Sequence, residues 1–595
     1  MMNRRWSSPR LGSVISAALV AALAAAPAEA QVAADSCDNA PLIGEGTYGG
    51  TTVGATVDGS TDCDFSSNAP DVWYRVTPTT NALVLDLCAS SYDTVVSVHT
   101  GCPGNDANTV ACNDQSCGNQ SRLTALVTPG TTYLIRISGW MQEVGAWSMT
   151  VSFLEIDPPT QGPDVVYQNI TDYTNDGEVG GIRAYCFGTA TCNNGDQNLL
   201  WTNGGTPGVG FNLYRLYDGR LEQIGMSWVK IACCAAAGAG CNFPCNGQGG
   251  SVLGMGCMDI YGAGINSSQP RLKPRSEINP WTGQFGGTLG TVENTISRRL
   301  QVARSDLTAA NFPGALYFAE GVYVADDELP GDAKHNNASH RMVTVSQSTW
   351  ALSHAPGTTM QTGVPAIQAW HDHGLGANTP DPNVVIQQVD VPDEGRFWTA
   401  YKVVDNGNGT WRYEYAVFNL NSHVSGGSLS IPVPAGVTVS NIGFHDVDYH
   451  SGEVYDNTDW VAQVGSGSVT WHSPQTFAQN PNSNALRWGT MYNFWFDADA
   501  APAQGQATLG LFRPHTPNSV QFAAAVPGGV GSGCATDWNG DNEVNSSDIS
   551  AFLSAWLLSL NEGTMAADFN GDLTVNSTDI SAFLSAWLDE VTEGC

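Results

Sequence analysis

Basic residues are scarce in this 595-residue chain. Its 23 lysines and arginines are outnumbered by 56 aspartates and glutamates, which gives a formal net charge of −33. Nucleic acids and anionic membranes both attract positive surfaces, so this balance argues against either as a partner. It suits a secreted protein or one that binds divalent cations.

Charged residues of both signs are also few, at 13% of the chain, about half the usual share. Glycine, by contrast, occurs 66 times, and glycine favours turns. The 42% of hydrophobic residues is enough to build several cores. The composition therefore predicts a mainly β, multidomain protein with many short strands joined by turns.

Long apolar runs are missing beyond the N-terminus. The run at 11–26 follows three arginines within the first ten residues and precedes an Ala-Glu-Ala tripeptide at 28–30. This layout predicts a signal peptide over 1–30, cleaved before Gln31. The alternative is a membrane anchor, which needs ~20 apolar residues, and this run is shorter and rich in alanine. We expect a secreted or cell-surface protein with no membrane span in its mature form.

Familiar catalytic signatures are absent from the sequence. It has no Gly-x-Ser-x-Gly elbow, no His-Glu-x-x-His helix and no phosphate-cradling glycine loop. Glycoside hydrolysis stays open as an alternative for 164–525, because it needs only two carboxylates at a separation that the sequence does not reveal. Exposed tryptophans there would bind polysaccharide by stacking on sugar rings, whereas buried ones would belong to the core. These tryptophans are Trp350, Trp370, Trp398, Trp411, Trp460, Trp471, Trp488 and Trp495.

The 15 cysteines fall into three groups. Six lie between Cys37 and Cys117, seven between Cys186 and Cys257, and two at the end of the chain. In an exported protein such groups favour disulfides over a zinc cluster, since their spacing matches no strong zinc pattern. Because seven is odd, we expect one thiol of the middle group to be left over.

Histidines concentrate in the middle of the chain, where nine of the 11 lie between 335 and 472. The densest group is 445–450. On a strand, Asp446, Asp448 and His450 would share one face and could hold a divalent metal. The alternative is a polar turn with surface histidines. We treat these three residues as a possible second metal site.

Residues 31–156 alternate apolar and polar positions in short runs separated by turns. The pattern predicts an antiparallel β-sandwich. Four segments resemble the bacterial pre-peptidase C-terminal domain, a jelly-roll-like module that accompanies secreted enzymes: 71–76, 91–102, 111–124 and 133–139. The resemblance implies an accessory or substrate-binding role. Because some relatives bind calcium, it also makes Asp93, Asn113 and Asp114 candidate ligands, with strand capping as the alternative.

A proline-rich linker at 157–163 separates this module from a long region at 164–525. The turn sequence at 405–409 and the alternation at 410–418 predict a hairpin, and Pro432 indicates an edge strand. We expect one or two β domains here. Segments 213–230 and 444–453 resemble parts of secreted planctomycete-type proteins of uncharacterised function, which implies no activity.

After a second linker at 526–533, the module at 534–595 contains a repeat. Residues 537–557 and 568–588 start 31 positions apart and differ at four of 21 positions. Each copy places oxygen-bearing side chains at loop positions 1, 3, 5, 9 and 12, with a backbone carbonyl at position 7, as a calcium loop requires. The predicted calcium ligands are Asp537, Asn539, Asp541, Glu543, Asn545 and Asp548 in the first loop, and Asp568, Asn570, Asp572, Thr574, Asn576 and Asp579 in the second.

A helix is predicted after each loop, because apolar residues recur at helical spacing. The two stripes should pack against each other as one small core, and calcium should help to drive its folding. The stripes are Ile549, Phe552, Leu553, Trp556 and Leu557 in the first copy, and Ile580, Phe583, Leu584, Trp587 and Leu588 in the second.

The tandem resembles a type I dockerin over about 60 residues. Dockerins bind cohesin domains and attach enzymes to scaffold proteins in polysaccharide-degrading assemblies. The resemblance implies that loop positions 10 and 11 recognise the partner. These positions hold Ser546 and Ser547 in the first copy, and Ser577 and Thr578 in the second.

The repeat departs from the family pattern at two places. Position 6 usually needs glycine, and here it is Asn542 in the first loop and Leu573 in the second. The helices carry Ser-Ala at 554–555 and 585–586, where cellulosomal dockerins often carry basic residues. The partner is therefore expected to be cohesin-like or another cell-surface scaffold.

Together these features predict a secreted bacterial protein that attaches through calcium-binding repeats to an extracellular, polysaccharide-related assembly. Two alternatives stay open. One is a glycosidase or other polysaccharide-active enzyme with its chemistry in 164–525, and the other is a surface adhesin or structural protein without chemistry.

Overall fold

The computed structural model describes residues 32–593 except for short gaps. The gaps are 62, 64–67, 115–116, 157–158, 237–240, 242–244, 247, 287–291, 466, 529–533, 540–542, 563, 565 and 571–573. Three predictions therefore fall outside the described residues: the signal peptide, the position-5 ligands Asp541 and Asp572, and the position-6 residues Asn542 and Leu573.

The first compact unit ends at Glu155, and its described residues form nine strands. They are β1 (Leu42–Ile43), β2 (Gly46–Thr51), β3 (Val72–Val76), β4 (Ala82–Asp86), β5 (Thr94–His99), β6 (Thr109–Asn113), β7 (Arg122–Leu126), β8 (Tyr133–Gly139) and β9 (Ala146–Leu154). One sheet has the order β1-β3-β8-β5-β6 and the other β2-β9-β4-β7.

Side chains from both sheets share one core, in which Tyr74, Leu85, Ile135 and Met149 are fully buried. The predicted β-sandwich is therefore confirmed. At one edge of the core a buried ion pair joins Asp71 to Arg136 at 2.7 Å. The ion pair accounts for one polar residue in segment 71–76 and one in segment 133–139.

The second unit begins at Ile156, and its first part is a ten-stranded sheet. Its strands follow the order β10-β11-β18-β14-β13-β19-β20-β21, with β16 and β17 paired to β11 and β14. Two further strands, β12 and β15, pair with each other in a separate two-stranded sheet. The strands of this part are β10 (Val165–Val179), β11 (Ile182–Asn193), β12 (Leu199–Leu200), β13 (Gly208–Tyr217), β14 (Arg220–Lys230), β15 (Val252–Leu253), β16 (Met258–Tyr261), β17 (Leu272–Lys273), β18 (Leu300–Ala303), β19 (Leu316–Val324), β20 (Ala338–Val345) and β21 (Leu352–His354).

The next part is a second sandwich, formed by sheets β22-β23-β24-β29-β26 and β27-β28-β25-β30-β31. Its core contains Phe397, Tyr415, Leu429 and Trp471, all buried. The strands are β22 (Val385–Asp390), β23 (Arg396–Asp405), β24 (Trp411–Asn419), β25 (Gly426–Pro432), β26 (Val439–His445), β27 (Val461–Val464), β28 (Ser468–His472), β29 (Met491–Ala498), β30 (Pro502–Leu511) and β31 (Ser519–Pro527).

A shared core joins the ten-stranded sheet to the second sandwich. Phe318 of the sheet, Trp370 of a short helix and Phe418 of the sandwich belong to one buried cluster. The helices are short in this region and longer at the C-terminus: α1 (Ala263–Asn266), α2 (Arg304–Leu307), α3 (Asp332–His335), α4 (Gln368–Asp372), α5 (Ser546–Glu562) and α6 (Ser577–Glu593). In the described part of the chain, no helix has the length and apolar character needed to cross a membrane.

The hairpin prediction is confirmed, because β23 and β24 pair from Phe397↔Asn419 to Asp405↔Trp411. The edge-strand prediction for Pro432 is wrong, since β25 lies in the middle of its sheet. Proline is tolerated there because it is the last residue of β25. It pairs with Ser468 on one side, while the register with β30 ends at Ser430.

Disulfides are confirmed as the state of most cysteines. The bonded pairs are Cys37–Cys102, Cys63–Cys112, Cys88–Cys117, Cys192–Cys241 and Cys245–Cys257. The expectation of one leftover thiol is wrong. Cys186, Cys233 and Cys234 are all free, because the middle group forms two bonds instead of three.

Candidate metal centre

Each predicted calcium loop leads directly into one of the two long helices. Helix α5 begins at Ser546 and α6 at Ser577, which are position 10 of their loops. The asparagine at position 9 caps the helix: Oδ1 of Asn545 accepts the backbone N–H of Ser547 at 2.8 Å, and Asn576 does the same for Thr578, also at 2.8 Å. The same asparagine is therefore both a predicted calcium ligand of the loop and the N-cap of the helix.

The position-12 carboxylate organises each loop. Asp548 is fully buried, and its two oxygens accept the backbone N–H groups of Asn539 at 3.0 Å and Asn545 at 2.9 Å. Asp579 repeats this arrangement with positions 3 and 9 of its own loop, at 3.2 and 2.8 Å. Burial raises the pKa of Asp579, but the backbone N–H groups outweigh burial and lower it below its usual value.

Position 3 is tied to position 11 in both copies. The Asn539 amide nitrogen donates to Ser547 Oγ at 2.6 Å, and that of Asn570 donates to Thr578 Oγ1 at 2.9 Å. The hydroxyl predicted for partner recognition is therefore also part of the loop. In each copy one hydrogen bond therefore joins the predicted ligand at position 3 to the predicted recognition residue at position 11.

The two repeats hold each other through their tryptophans. Nε1 of Trp556 in α5 donates to the Asn576 carbonyl of the second loop at 2.8 Å. Nε1 of Trp587 in α6 donates to the Asn545 carbonyl of the first loop at 2.9 Å. Each helix thus fixes position 9 of the other copy, a link that the sequence period alone did not predict.

Four aromatic rings form the centre of the module. Phe552 and Phe583 stack face to face with centroids 4.1 Å apart. Trp538 and Phe569, the position-2 residues, contact this pair edge-on, with Trp538 4.9 Å from Phe552 and Phe569 5.3 Å from Phe583. The predicted core is confirmed for Phe552 and Phe583 and for the partly buried Ile549, Trp556, Ile580 and Trp587, whereas the helical spacing did not predict Trp538 and Phe569.

The rest of each apolar stripe does not enter the core, which corrects the packing prediction. Leu553 and Leu557 in α5 are 36% and 57% exposed, and Leu584 and Leu588 in α6 are 40% and 55% exposed. A pair of helices can bury only one side of each stripe against the other. The leucines instead face outward beside the recognition residues, all four of which are exposed.

The ends of the module are fastened together. The Glu590 carboxylate in α6 accepts the backbone N–H groups of Ala535 at 2.8 Å and Thr536 at 2.9 Å, and also the Thr536 hydroxyl. Cys534, just before the first loop, is disulfide-bonded. The C-terminal helix is thereby held to the start of the repeat.

The described residues of the loops fit a calcium ion. The predicted side-chain ligands are carboxylates and amides, the oxygen donors that calcium prefers, and the loops are already closed by their position-12 carboxylates. Asp537, Asn539, Asn545 and Asp548, with the Glu543 carbonyl, would hold the first ion. Asp568, Asn570, Asn576 and Asp579, with the Thr574 carbonyl, would hold the second.

The proposed second metal site receives no support from the structure. Strand β26 ends at His445, so Asp446, Asp448 and His450 do not share a strand face. Both ring nitrogens of His450 are engaged, Nδ1 with Ser451 Oγ at 2.9 Å and Nε2 with the Met226 carbonyl at 2.7 Å. The site stays a prediction, and these hydrogen bonds argue against His450 as a ligand.

Elsewhere in the described chain, the donor atoms of three or more His, Cys, Asp or Glu side chains lie close enough to share an ion only at Cys37, Asp38 and Cys102. The two cysteines form a disulfide, so this group is not a metal site. Asn113, a candidate in the N-terminal sandwich, accepts the backbone N–H of Arg122 at 3.1 Å, which fits the strand-capping alternative.

The middle-region tryptophans do not form an exposed sugar-binding face. None of the eight is exposed, and Trp370, Trp398, Trp460, Trp471 and Trp488 are buried. Several indole N–H groups are used inside the fold, as in the 2.8 Å bond from Trp370 to the Gly219 carbonyl. The core alternative therefore accounts for these residues.

Comparison with known proteins agrees with the geometry of the C-terminal repeat. No curated protein matches the chain. A dockerin is a calcium-binding module for protein–protein attachment, and residues 535–583 match the family model of the dockerin type I domain.

Proposed function

We propose that the chain is exported and attaches, through its C-terminal repeat and in the presence of calcium, to a cohesin-like scaffold in an extracellular, polysaccharide-related assembly. The observation that carries this proposal is the pair of exposed helix faces. Each face combines the position-10 and position-11 hydroxyls with two outward leucines about two and three turns further along the helix.

The chemistry of these faces indicates the kind of partner. Ser550 and Ser554 lie on the face of α5, and Ser581 and Ser585 on that of α6, all exposed. Neither face contains a basic residue. A partner that recognises them needs an apolar patch bordered by hydrogen-bonding groups, and charge pairing contributes little.

A binding experiment with the full-length protein tests the proposal. Immobilised protein is offered a panel of cohesin domains with calcium and with a chelator. We expect one or more cohesins to bind only with calcium, and Leu553→Asp combined with Leu584→Asp to abolish that binding. The matched control is Leu558→Asp, which places the same charge on another exposed leucine of α5.

Single-face variants test whether both faces serve the same partner. If they do, Leu553→Asp alone and Leu584→Asp alone each retain binding. Binding that survives the chelator, or the double substitution, contradicts attachment through this module.

A second candidate function, hydrolysis in 164–525, is favoured by one cavity. It has a volume of about 230 Å³ and is lined by Asp306, His445, Asp446 and Asp448 among other residues. Burial raises the pKa of Asp446 to about 7, which suits a general acid near neutral pH. Release of reducing sugar from polysaccharides by wild type and not by Asp446→Asn would support it, with the exposed hairpin variant Asp405→Asn as control. Equal release by both proteins contradicts it.

A further inference from the structure

Two adjacent free thiols lie in the loop that follows β14. Cys233 and Cys234 are outside the disulfide network, and their Sγ atoms are 3.5 Å apart. Cys234 is exposed and Cys233 is half-buried. A small molecule can therefore reach a pair of sulfur atoms that already touch.

The backbone of this pair is fixed by Tyr261 of β16. The Tyr261 hydroxyl accepts the backbone N–H of Cys234 at 3.0 Å and donates to the Cys234 carbonyl. The same ring, 7% exposed, covers the ammonium group of Lys230 at 3.5 Å from its centroid. The dithiol is thus anchored to the edge of the ten-stranded sheet.

The two sulfur atoms differ in their surroundings. Burial raises the pKa of Cys233, but hydrogen bonds from Cys234 and Arg271, with the positive charges of Arg271 and Lys230, lower it below the usual thiol value. A lower pKa increases the thiolate fraction, and the thiolate is the nucleophile in disulfide exchange. The Cys234 thiol donates a hydrogen bond to the Cys233 sulfur.

The third free cysteine provides an internal contrast. Cys186 in β11 is fully buried, and burial raises the pKa of its thiol well above the usual value. It lacks both the exposure and the thiolate character that exchange requires. Among the free cysteines of the described chain, only the adjacent pair can be reached from solvent, and only Cys233 has a lowered pKa.

We propose that Cys233 and Cys234 form a redox-active vicinal dithiol that exchanges with small-molecule disulfides, with Cys233 as the attacking and Cys234 as the resolving thiol. The Cys233 thiolate attacks one sulfur of RS–SR, forms Cys233–S–S–R and releases RS⁻. Cys234 then loses its proton to water, attacks the Cys233 sulfur, closes the Cys233–Cys234 bond and releases the second RS⁻. The protein dithiol is oxidised and the small disulfide is reduced to two thiols. This site is independent of the attachment proposed for the C-terminal repeat.

The test uses the full-length protein with oxidised glutathione as the probe. After the reaction, remaining thiols are blocked with an alkylating reagent and unreduced peptides are mapped by mass spectrometry. We expect the peptide containing Cys233 and Cys234 to lose two hydrogens and to carry no glutathione. Cys186 should be alkylated only after denaturation.

Single substitutions separate the two roles. Cys234→Ser should accumulate a stable glutathione adduct on Cys233, because the resolving thiol is gone. Cys233→Ser should react at least about tenfold more slowly, because the activated thiol is gone. Wild-type protein that keeps glutathione on either cysteine without closing the pair overturns the proposal.

Arg271→Gln provides a readout that does not depend on bond closure. Removing the guanidinium should move the pH of half-maximal Cys233 alkylation upward, whereas Arg304→Gln, at an exposed arginine of helix α2, should leave it unchanged. An alkylation profile that is identical in both variants overturns the assignment of Cys233 as the attacking thiol.

Discussion

At the scale of single residues, environment decides chemistry more than residue type does. Asp446 follows β26 and Asp548 lies in the first turn of α5, yet one aspartate lies in a cavity lined by other acids and the other accepts two backbone N–H groups. His450 shows the same effect, since a side chain suited to metals is fully used by a serine and a carbonyl.

The buried carboxyl of Asp446 should make the stability of the protein depend on pH. Burial raises its pKa from 3.8 to about 7, and the charges of Asp459 and Asp448 add to the effect. Because the folded pKa lies above the unfolded value, the folded protein holds a proton that the unfolded chain releases, and stability falls as pH rises from about 4 to 7. Asparagine can still accept the 2.6 Å bond from Asn484 but carries no charge.

We therefore expect Asp446→Asn to raise the free energy of unfolding by roughly 2–4 kcal/mol at about pH 8 and to change it little at about pH 4.5. Urea denaturation at the two pH values measures the difference. Asp405→Asn, in an exposed hairpin, is the control and should show no such pH dependence. A shift of equal size at both pH values contradicts the prediction.

Position 6 of the calcium loops, which lies outside the described residues, should make the calcium affinities of the two loops unequal. A sharp turn at position 6 needs a left-handed backbone conformation, which costs a branched residue such as leucine ~1–2 kcal/mol. Asparagine adopts this conformation more readily. We expect the loop with Asn542 to bind calcium roughly tenfold more tightly than the loop with Leu573, and Leu573→Gly to narrow the gap. Calorimetry on the full chain, with Asp541→Ala or Asp572→Ala to silence one loop, measures each affinity. Equal affinities would falsify the argument from backbone strain.

At the scale of elements, contacts between distant segments hold the structure together. Arg275, fully buried, donates to carbonyls of Phe211 and Ser227 in the ten-stranded sheet and of Gly489 just before β29. Burial lowers its pKa to about 10, so it stays charged at neutral pH. One guanidinium therefore links the large sheet to the second sandwich.

Removing the Arg275 guanidinium should destabilise the folded protein. Arg275→Met leaves buried acceptors without a donor, and we expect a loss of about 3–5 kcal/mol in the free energy of unfolding. Chemical denaturation measures it. Arg304→Met removes an arginine that is 51% exposed beside Glu178 and should cost under about 1 kcal/mol. Similar losses in both variants would show that the buried links are not what stabilises this region.

The tryptophan links of the C-terminal module allow a reciprocal test. Trp587→Phe keeps the ring but loses the hydrogen bond to the Asn545 carbonyl, so we expect the first loop to lose about 1 kcal/mol, roughly fivefold in calcium affinity. Trp556→Phe should weaken the second loop instead. Calorimetry in backgrounds where Asp579→Ala or Asp548→Ala silences one loop separates the two. An effect confined to the loop of the substituted copy contradicts the crossed arrangement.

Local patterns in the sequence identified the elements that depend on near neighbours. The calcium loops, the β23–β24 hairpin and the sandwich alternation follow from spacing within a few residues. Pairings such as β11 with β18 join segments more than 100 residues apart, and alternation does not specify them. Periodicity placed Leu557 and Leu588 on the apolar stripe, but how much of that stripe two helices can bury is a tertiary property. The prediction of one leftover thiol was wrong for the same reason, because an odd number of cysteines says nothing about which sulfur atoms lie close enough to bond.

At the scale of the whole molecule, the chain divides after Glu155 into two compact units, and the calcium loops belong to the C-terminal end of the second. Both sandwiches and the ten-stranded sheet have their own hydrophobic cores. The small C-terminal core, by contrast, centres on four aromatic rings. Calcium should matter for that core and much less for the β structure.

We expect a chelator to unfold α5 and α6, each 17 residues long, and to leave the thermal transitions of the β units in place. Far-ultraviolet circular dichroism and calorimetry of the full-length protein measure both. The double variant Asp548→Ala with Asp579→Ala should resemble the chelated protein even with calcium present. A chelator that lowers every transition equally would show that the ion stabilises more than the repeat.

The crossed tryptophan bonds also bear on how the duplication has been kept. Each copy supplies a donor whose acceptor is a backbone carbonyl of the other, so loss of the helix tryptophan in one copy removes a hydrogen bond from the loop of its sister. Two copies that support each other in this way cannot drift apart freely after duplication. The 17 identical positions out of 21 are what such mutual dependence would preserve, and the four that differ include position 2 and position 11, where tryptophan and phenylalanine or serine and threonine play the same part.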